Sequence, residues 1–243
     1  MTVVTGSPVL ILGATSAIGR EIADVLAGRG KNLVLYARNI AECEEIAREI
    51  SARHNVSAVA KRLNVNSFAE ESLRRELEPF VPMAGVILCV GYLGDNIKAQ
   101  SDPSEAARIM DTNFIGSARA LDVAASMLNG GFVCALSSVA GDRPRRKVHT
   151  YGLAKSALNT YLDQLRRRLA PRNVRVITIK LGSVDTRMTA HRRKHPLVIP
   201  AQDAAVAIVD ACLTENGVVY IPGKWKYIML GMKMVPGAIY RRL

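Results

Sequence analysis

Tyr151 and Lys155 lie four residues apart, and Ser138 lies thirteen residues before the tyrosine. Residues four apart share one face of a helix, so the Lys155 ammonium would lie beside the Tyr151 phenol. A neighbouring cation stabilises the phenolate and lowers the pKa of a tyrosine, which is ordinarily ~10. Such a phenol can exchange a proton with a substrate oxygen, and the Ser138 hydroxyl could hydrogen-bond the same oxygen. The three residues therefore predict proton transfer at an oxygen atom of a substrate.

The same Tyr-x-x-x-Lys spacing occurs a second time, at Tyr220 and Lys224. Pro222 and Gly223 lie between those two residues, and neither favours an uninterrupted helix. Spacing alone therefore does not identify the site, and the surrounding elements must decide which pair does chemistry.

The composition indicates one folded α/β domain in a reducing compartment. The chain has 243 residues, of which 49% are hydrophobic, and this is enough for a large core. The four cysteines show neither disulfide-framework nor metal-ligand spacing, and the N-terminus lacks the features of a secretory signal. We therefore expect no bound metal and a cytoplasmic location. The net charge of +12 favours an anionic partner, but no nucleic-acid-binding motif accompanies it, so we expect no nucleic-acid partner.

Short apolar runs alternate with amphipathic stretches, a pattern typical of parallel strands joined by helices. It predicts a doubly wound parallel sheet of about seven strands in one domain, residues 1–222, followed by an amphipathic extension, residues 223–243. The predicted strands are 9–12, 32–36, 57–63, 85–90, 131–136, 174–180 and 218–221. The predicted helices are 17–27, 41–53, 67–77, 105–128, 151–169 and 201–213.

A glycine turn follows the first predicted strand and leads into the first predicted helix. Gly13 could form the tight turn, and Gly19 could let the helix pack closely on the strand, so that backbone N–H groups face a pyrophosphate. Arg38 follows the second strand, where an acidic residue suits NAD and an arginine suits the 2′-phosphate of NADP. No carboxylate lies there, so we expect NADP(H) to be favoured over NAD(H). The alternative is that Arg38 is a solvated surface charge.

These motifs resemble those of the short-chain dehydrogenase/reductase family over nearly the whole chain. Residues 13–19 are similar to its glycine-rich turn, although Leu12, Ala17 and Leu181 replace the usual threonine, glycine and proline. The resemblance implies a Rossmann-type fold and an NAD(P)H-dependent carbonyl reductase. The cofactor-binding residues that it implies are Gly13, Thr15, Ser16, Ala17, Ile18, Gly19, Arg38, Asn64, Val65, Val90, Gly91, Tyr151, Lys155, Val184 and Thr186.

The resemblance also implies four catalytic residues, which match the family in order and spacing: Asn113, Ser138, Tyr151 and Lys155. Tyr151 would protonate a carbonyl oxygen that Ser138 polarises. Lys155 would lower the pKa of the phenol and bind the nicotinamide ribose. Asn113 would distort its helix locally and hold a water that relays protons to Lys155. Ser137 is the alternative serine, although the spacing favours Ser138.

Two basic clusters flank the predicted site. One lies between the catalytic serine and tyrosine, and the other lies in a segment, about residues 183–199, where the family has a mobile lid. Two cationic loops beside one pocket would attract an anionic substrate, and the alternative is two solvated surface loops. The candidate substrate-binding residues are Arg143, Arg145, Arg146, Arg192 and Arg193.

The C-terminal tail, residues 224–243, is predicted to form a basic amphipathic helix. An apolar stripe recurs at helical spacing, and the tail contains no acid. The tail is too short and too charged to span a bilayer, which requires about 20 apolar residues, but it suits a helix that lies on anionic lipid. The alternative is that the stripe covers the substrate cleft or forms a dimer interface. The stripe consists of Trp225, Ile228, Met229 and Met232.

Residues 141–146, residues 182–191 and the tail resemble a subgroup of the family that contains the decaprenylphosphoryl-2-keto-pentose reductases of bacterial cell-envelope synthesis. That resemblance implies reduction of a keto group on a polyprenyl-phosphate-linked sugar at the inner face of the membrane. The alternatives are a soluble 3-oxoacyl-carrier-protein-type reductase and a non-catalytic dinucleotide-sensing or scaffold protein. The family also implies a homodimer or homotetramer, formed through the predicted helices 105–128 and 151–169.

Overall fold

The computed structural model describes residues 6–143, 148–186, 188–189 and 196–236. Its strands are β1 (Val9–Leu12), β2 (Leu33–Ala37), β3 (Ala58–Arg62), β4 (Gly85–Leu88), β5 (Phe132–Ser138), β6 (Arg175–Leu181), β7 (Val184–Asp185), β8 (Ile199–Pro200) and β9 (Gly217–Ile221). Seven of them form one parallel sheet in the order β3-β2-β1-β4-β5-β6-β9, and β7 pairs with β8. The strand order reverses between β1 and β4, which opens a crevice at the carboxyl ends of these strands. The predicted doubly wound sheet is therefore confirmed.

Helices cover both faces of this sheet. In the described part of the chain they are α1 (Ala17–Gly28), α2 (Ile40–His54), α3 (Glu70–Leu77), α4 (Pro103–Met110), α5 (Gly116–Ser126), α6 (His149–Leu169), α7 (Ala201–Thr214) and α8 (Trp225–Met234). Successive residues of a strand point to opposite faces, so two buried clusters form. The cluster around Ile11 and Leu35 packs against α1, α2 and α7, whereas the cluster around Leu10 and Val34 packs against α3, α5 and α6.

The sequence pattern predicted the strands of the main sheet to within two residues at each end. The predicted helix 105–128 is instead two helices, α4 and α5, which are joined by a π-helical turn at Asp111–Ile115. The β7–β8 pair was not predicted. It joins the two ends of the predicted lid segment, where Val184 pairs with Ile199.

The C-terminal extension folds back onto the domain as α8. Trp225, Met229 and Met232 turn towards the protein, and Met229 is only 4% exposed. The prediction that the whole stripe faces lipid is therefore wrong, because three of its members pack against the domain, whereas Ile228 is 37% exposed. The opposite, outer face of α8 carries Tyr227, Leu230 and Met234. No helix in the described ranges is both long and apolar enough to cross a membrane.

A buried carboxylate anchors α8 to the loop that follows β5. The side chain of Asp142 is 2% exposed and accepts hydrogen bonds from Lys180, from the Tyr220 hydroxyl at 2.7 Å, and from the Lys233 ammonium of α8 at 3.0 Å. Burial by itself would raise the pKa of the Asp142 carboxyl, but the bonds from these three partners keep it below its usual range. The second Tyr-x-x-x-Lys pair thus supplies a structural tyrosine in β9.

Arg143 binds the same, C-terminal end of α8. Its Nη1 atom donates to the carbonyl oxygen of Met232 and, at 2.7 Å, to that of Val235. The last carbonyl groups of a helix have no partner within the helix, and a basic side chain at that end also interacts favourably with the helix dipole. Asp142 and Arg143 together fix the position of α8 beside β5.

Candidate active site

Three of the predicted catalytic residues lie on two adjacent elements. Ser138 is the last residue of β5, and Tyr151 and Lys155 project from the first two turns of α6. The Ser138 Oγ atom accepts a hydrogen bond from the N–H of Ala140 at 3.1 Å, which fixes the serine at the start of a 3₁₀ turn. Ser138 and Tyr151 line one cavity of about 110 Å³ at the carboxyl end of the sheet.

Strand alternation separates the two candidate serines. Ser137 is 3% exposed, and its hydroxyl donates to the Asn159 side-chain oxygen at 2.6 Å. Ser138 points to the opposite face and is partly exposed. In the described ranges, no acceptor is paired with the hydroxyl hydrogen of Ser138. The geometry therefore agrees with the spacing argument, and Ser138 is the serine that can bind a substrate oxygen.

Lys155 is a buried cation beneath the tyrosine. It is 2% exposed, its Nζ donates to the carbonyl oxygen of Leu136 at 2.9 Å, and Nζ lies 5.8 Å from the centre of the Tyr151 ring. Burial lowers the pKa of Lys155 to about 8, because an ammonium loses hydration there, while nearby Cys89 opposes the shift. The ammonium and the phenol are thus neighbours, as the four-residue spacing predicted.

Asn113 lies inside the π-helical turn and is fully buried. Its Nδ2 donates to the carbonyl oxygens of Tyr92 at 2.6 Å and Ile109 at 2.8 Å, and its Oδ1 accepts from the Tyr92 N–H at 3.2 Å. The helix is therefore distorted at Asn113, as the resemblance implied. These bonds tie the turn to the loop after β4, and the implied water relay stays a prediction.

Asn96 is a positioning residue that the sequence did not reveal. It is 5% exposed, and its Oδ1 accepts a hydrogen bond from the backbone N–H of Tyr151 at 2.9 Å. The residue before α6, Val148, provides no side-chain cap. A first-turn N–H has no partner within its own helix, so Asn96 supplies one from a loop far away in sequence. The only available signal was the preference of asparagine for loops and caps.

A longer cleft of about 390 Å³ adjoins this cavity along the carboxyl ends of β1, β2 and β4. Gly13 has a φ of +95°, and a Cβ atom there would lie 2.9 Å from the N atom of Val90, so the turn requires glycine. A Cβ atom at Gly19 would lie 2.5 Å from the carbonyl oxygen of Gly13. Ser16 caps α1, since its Oγ accepts from the Gly19 N–H at 3.0 Å. The turn has the shape that a pyrophosphate requires.

The structure brings most predicted cofactor residues to this cleft. Ile18 and Thr186 line both the cleft and the cavity beside Tyr151, so the two spaces are continuous. Val184 and Tyr151 line only the cavity, whereas Gly19 and Lys155 line neither space. The predicted residues that line the cleft are Gly13, Thr15, Ser16, Ala17, Ile18, Arg38, Asn64, Val65, Val90, Gly91 and Thr186.

Two arginines lie at the far end of the cleft. Arg38 is exposed there, as predicted, and Arg20 of α1 also lines the cleft and forms an ion pair with Glu49 at 2.5 Å. Sequence reasoning missed Arg20, although it directly follows the glycine turn. One carboxylate, that of Glu42, lines the same end. Arg38 is thus the exposed cation at this end that could bind a phosphate group.

The predicted substrate arginines do not form the expected cluster in the described residues. Arg143 is bound to α8 and does not line the cavity that contains Ser138 and Tyr151. Its guanidinium instead satisfies the helix carbonyl groups described above. The other four candidates lie outside the described residues: Arg145, Arg146, Arg192 and Arg193.

Trp225 of α8 forms part of the wall of the cavity that contains Ser138 and Tyr151. Its indole lies against Gly182, where a Cβ atom would be only 1.9 Å from the indole Nε1. The Nε1 atom is buried and has no hydrogen-bond partner among the described residues. For Trp225, the structure therefore shows the alternative arrangement of the tail, in which the apolar stripe covers the substrate cleft.

Known proteins match the chain in both sequence and fold. The family model for short chain dehydrogenases matches residues 7–197. An uncharacterized oxidoreductase of Streptomyces coelicolor is 34% identical over 242 residues, which cover 96% of this chain and 94% of that protein. An uncharacterized oxidoreductase of Mycobacterium tuberculosis is 29% identical over 98% of this chain and 97% of its own length.

Solved structures share the architecture. A short chain dehydrogenase from Burkholderia cenocepacia in complex with NADP has a TM-score of 0.81 at 20% identity and covers 100% of this chain and 99% of its own. A short-chain type dehydrogenase/reductase from Mycobacterium ulcerans has a TM-score of 0.79 at 21% identity, over 94% and 92% of the two chains. With the site geometry, these matches show that the chain is an enzyme of the short-chain dehydrogenase family, an NAD(P)-dependent oxidoreductase.

Proposed function

We propose that the protein is an NADPH-dependent carbonyl reductase. The observation that carries the proposal is the meeting of Ser138, Tyr151 and the buried Lys155 where a dinucleotide-shaped cleft opens into a cavity. A nicotinamide bound in that cleft would supply the hydride. Ser138 would donate a hydrogen bond to the substrate carbonyl oxygen, an interaction that strengthens as negative charge develops there. Tyr151 would give that oxygen its proton.

Replacement of Tyr151 by phenylalanine tests this assignment. Since general acid catalysis contributes about 10²–10⁴-fold, Tyr151→Phe should lower kcat by at least about 10²-fold while the Kd for NADPH changes little. NADPH oxidation with a panel of ketones and NADPH titration measure the two effects. Tyr220→Phe is the control, because its hydroxyl bonds Asp142 and not a substrate, and it should keep most of the turnover. Undiminished turnover in Tyr151→Phe would refute the proposal.

Preference for NADP(H) over NAD(H) is proposed on the charges at the end of the cleft. Arg38 and Arg20 line it, and the end of β2 carries no acidic residue that could bind a free 2′-hydroxyl. The solved relative from Burkholderia cenocepacia contains NADP, and an alcohol dehydrogenase from Thermococcus sibiricus contains 5-hydroxy-NADP. Comparison of kcat/KM for NADPH and NADH checks this preference.

We propose that the substrate is an anion, namely a keto sugar linked to polyprenyl phosphate. The net charge of +12 and the basic residues of the two clusters other than Arg143 support an anion, and the resemblance of three segments to the keto-pentose reductase subgroup supports a sugar. The second candidate is a soluble 3-oxoacyl-carrier-protein-type reductase, because an acidic carrier protein would also bind basic loops. The non-catalytic alternative is set aside, since the chain belongs to an enzyme family.

We also propose that α8 binds the inner face of the membrane. The face of α8 that points away from the domain would make this contact. Tyr227, Leu230 and Met234 recur at i, i+3 and i+7 and are 74%, 60% and 77% exposed. The exposed Lys224 and Lys226 flank this face and could bind anionic headgroups. We further propose that the protein is cytoplasmic and forms a homo-oligomer. Sedimentation equilibrium measures the number of subunits.

A further inference from the structure

The five-membered part of the Trp225 indole packs directly onto Gly182. A Cβ atom at residue 182 would lie 1.9 Å from Nε1, 2.4 Å from Cδ1 and 2.6 Å from Cε2, so only glycine leaves room for the ring in this position. The Nε1 atom is therefore buried in this contact. Trp225 as a whole is partly exposed and lines the cavity that contains Ser138 and Tyr151, so the rest of the side chain forms this part of the wall.

This wall lies beside the serine that can bind a substrate oxygen. Strands β5 and β6 are paired, with Ser138 opposite Leu181, and neighbouring strands are about 4.8 Å apart. Gly182 directly follows Leu181 and holds the indole. A carbonyl carbon carries two groups, and when its oxygen is bound by Ser138, one of these groups would lie on the side of Trp225.

The indole is also a rigid wall, because its surroundings are fixed. The Gly182 N–H donates to the carbonyl oxygen of Ile221 at 2.8 Å. In α8 itself, Met229 is 4% exposed, and the Lys233 ammonium lies 3.0 Å from the buried Asp142 carboxylate. The ring could therefore make way for a large substrate group only if α8 separated from the domain.

We propose that Trp225 determines substrate specificity by steric exclusion, because it allows only a small group on one side of the reacting carbonyl. The inference rests on the proposed reductase function. A ketone with one small group could place that group against the indole and direct its larger part away from α8. A ketone with two large groups would have to place one of them where the ring lies. The lipid-phosphate part of the proposed substrate would accordingly lie on the side away from Trp225.

Two isomers, heptan-2-one and heptan-4-one, provide a matched test. They contain the same atoms, but only heptan-2-one has a methyl group on one side of its carbonyl. Since one methylene group in an apolar pocket changes the rate about 10–200-fold, the wild type should show a kcat/KM with NADPH at least about tenfold higher for heptan-2-one. Trp225→Ala should bring this ratio towards one through a gain on heptan-4-one, and Trp225→Phe and Trp225→Leu should give intermediate ratios. A wild-type ratio near one, or the same ratio in all variants, overturns the proposal.

Met229→Ala is the control for a general effect on the tail. Met229 packs α8 against the domain but is not among the described residues that line the cavity. Its replacement removes a buried side chain from the same helix and weakens the packing of α8, so it should keep the wild-type ratio. If Met229→Ala lowers the ratio as much as Trp225→Ala does, loosening of α8 and not the indole wall sets the preference, and the proposal is wrong.

Binding measurements separate this inference from the reductase proposal. If the wild type reduces neither ketone, the reductase proposal loses its support, and calorimetric titration of the NADP⁺ complex with the same two ketones decides the inference. Tighter binding of heptan-4-one by Trp225→Ala than by the wild type, with little change for heptan-2-one, supports steric exclusion by the indole. Equal binding of heptan-4-one by the two proteins, or binding by neither, overturns it.

Discussion

Lys155 carries its positive charge in a place with almost no water. Its Nζ atom donates a hydrogen bond to the carbonyl oxygen of Leu136, and burial lowers the pKa of Lys155 from 10.5 to about 8. The folded state therefore prefers the neutral amine more than the unfolded state does. Placing an ammonium there costs stability, and in the proposed mechanism the same charge would stabilise the phenolate of Tyr151.

Replacement of Lys155 by methionine should expose this cost. At pH 7 the ammonium is charged in both states, so Lys155→Met should raise the free energy of unfolding by up to about 3 kcal/mol. As the pH rises through about 8 towards 10.5, the folded wild type loses the proton and becomes relatively more stable, so the difference should shrink. Urea unfolding at pH 7 and pH 9.5 measures it.

Lys31→Met is the matched control, because Lys31 is exposed and its replacement should change the free energy of unfolding only slightly. A stability difference for Lys155→Met that stays constant between the two pH values would contradict the burial argument. Turnover should be lost in Lys155→Met at every pH, since methionine supplies no charge to the phenol.

Some residues could be identified from the sequence because their neighbours are close along the chain. Tyr151 and Lys155 share a helix face, and Gly13 and Gly19 share one turn. Asn96 could not be identified, because its partner at Tyr151 lies 55 residues away. The contact of Trp225 with Gly182 likewise joins two elements and has no local signature.

The strands were predictable because a parallel sheet buried on both faces needs continuous apolar runs, as in β1 and β2, whose residues are all buried. The π-helical turn at Asp111–Ile115 left no comparable apolar pattern, since it depends on bonds between Asn113 and the backbone of Tyr92. In α8 the apolar residues have helical spacing on two faces, and the spacing alone does not show which face packs against the domain.

The loop after β5 and α8 behave as one unit because of Asp142. Removal of one partner from a buried ion pair leaves the other charge uncompensated, which costs about 3–5 kcal/mol. Asp142→Asn should therefore destabilise the fold strongly, because Lys180, whose side chain is 10% exposed, would lose its counter-charge. The double variant Asp142→Asn/Lys180→Met should recover part of that loss.

Urea unfolding of Asp142→Asn, Lys180→Met and the double variant measures the coupling between the two residues. The depressed pKa of Asp142 adds a pH dependence, because its contribution is present above the unfolded carboxyl pKa and is lost as the pH falls through the folded one. Limited proteolysis should also cut residues 223–236 faster in Asp142→Asn. Strictly additive effects of the two substitutions would show that the pair is not coupled.

At the scale of the whole molecule, the location of the positive charge matters more than its total of +12. The inner face of α8 is used for packing, so contact with lipid must come from Tyr227, Leu230 and Met234 on the outer face. An interfacial helix binds through buried apolar area together with attraction to anionic lipid. The two contributions can be removed separately, because apolar and cationic residues occupy different positions on α8.

Flotation with vesicles of anionic and of neutral lipid tests this arrangement. The wild type should float with anionic vesicles only, and the double variant Leu230→Ser/Met234→Ser should lose flotation because it removes exposed apolar area without touching the packed residue Met229. Lys224→Gln/Lys226→Gln should weaken flotation, and added salt should weaken it further, since screening shortens the reach of the charges. Val206→Ser/Leu213→Ser removes two exposed apolar residues from α7 and is the control, which should float like the wild type. If the wild type binds neither kind of vesicle, α8 serves the substrate cavity alone and the soluble carrier-protein reductase becomes the favoured function.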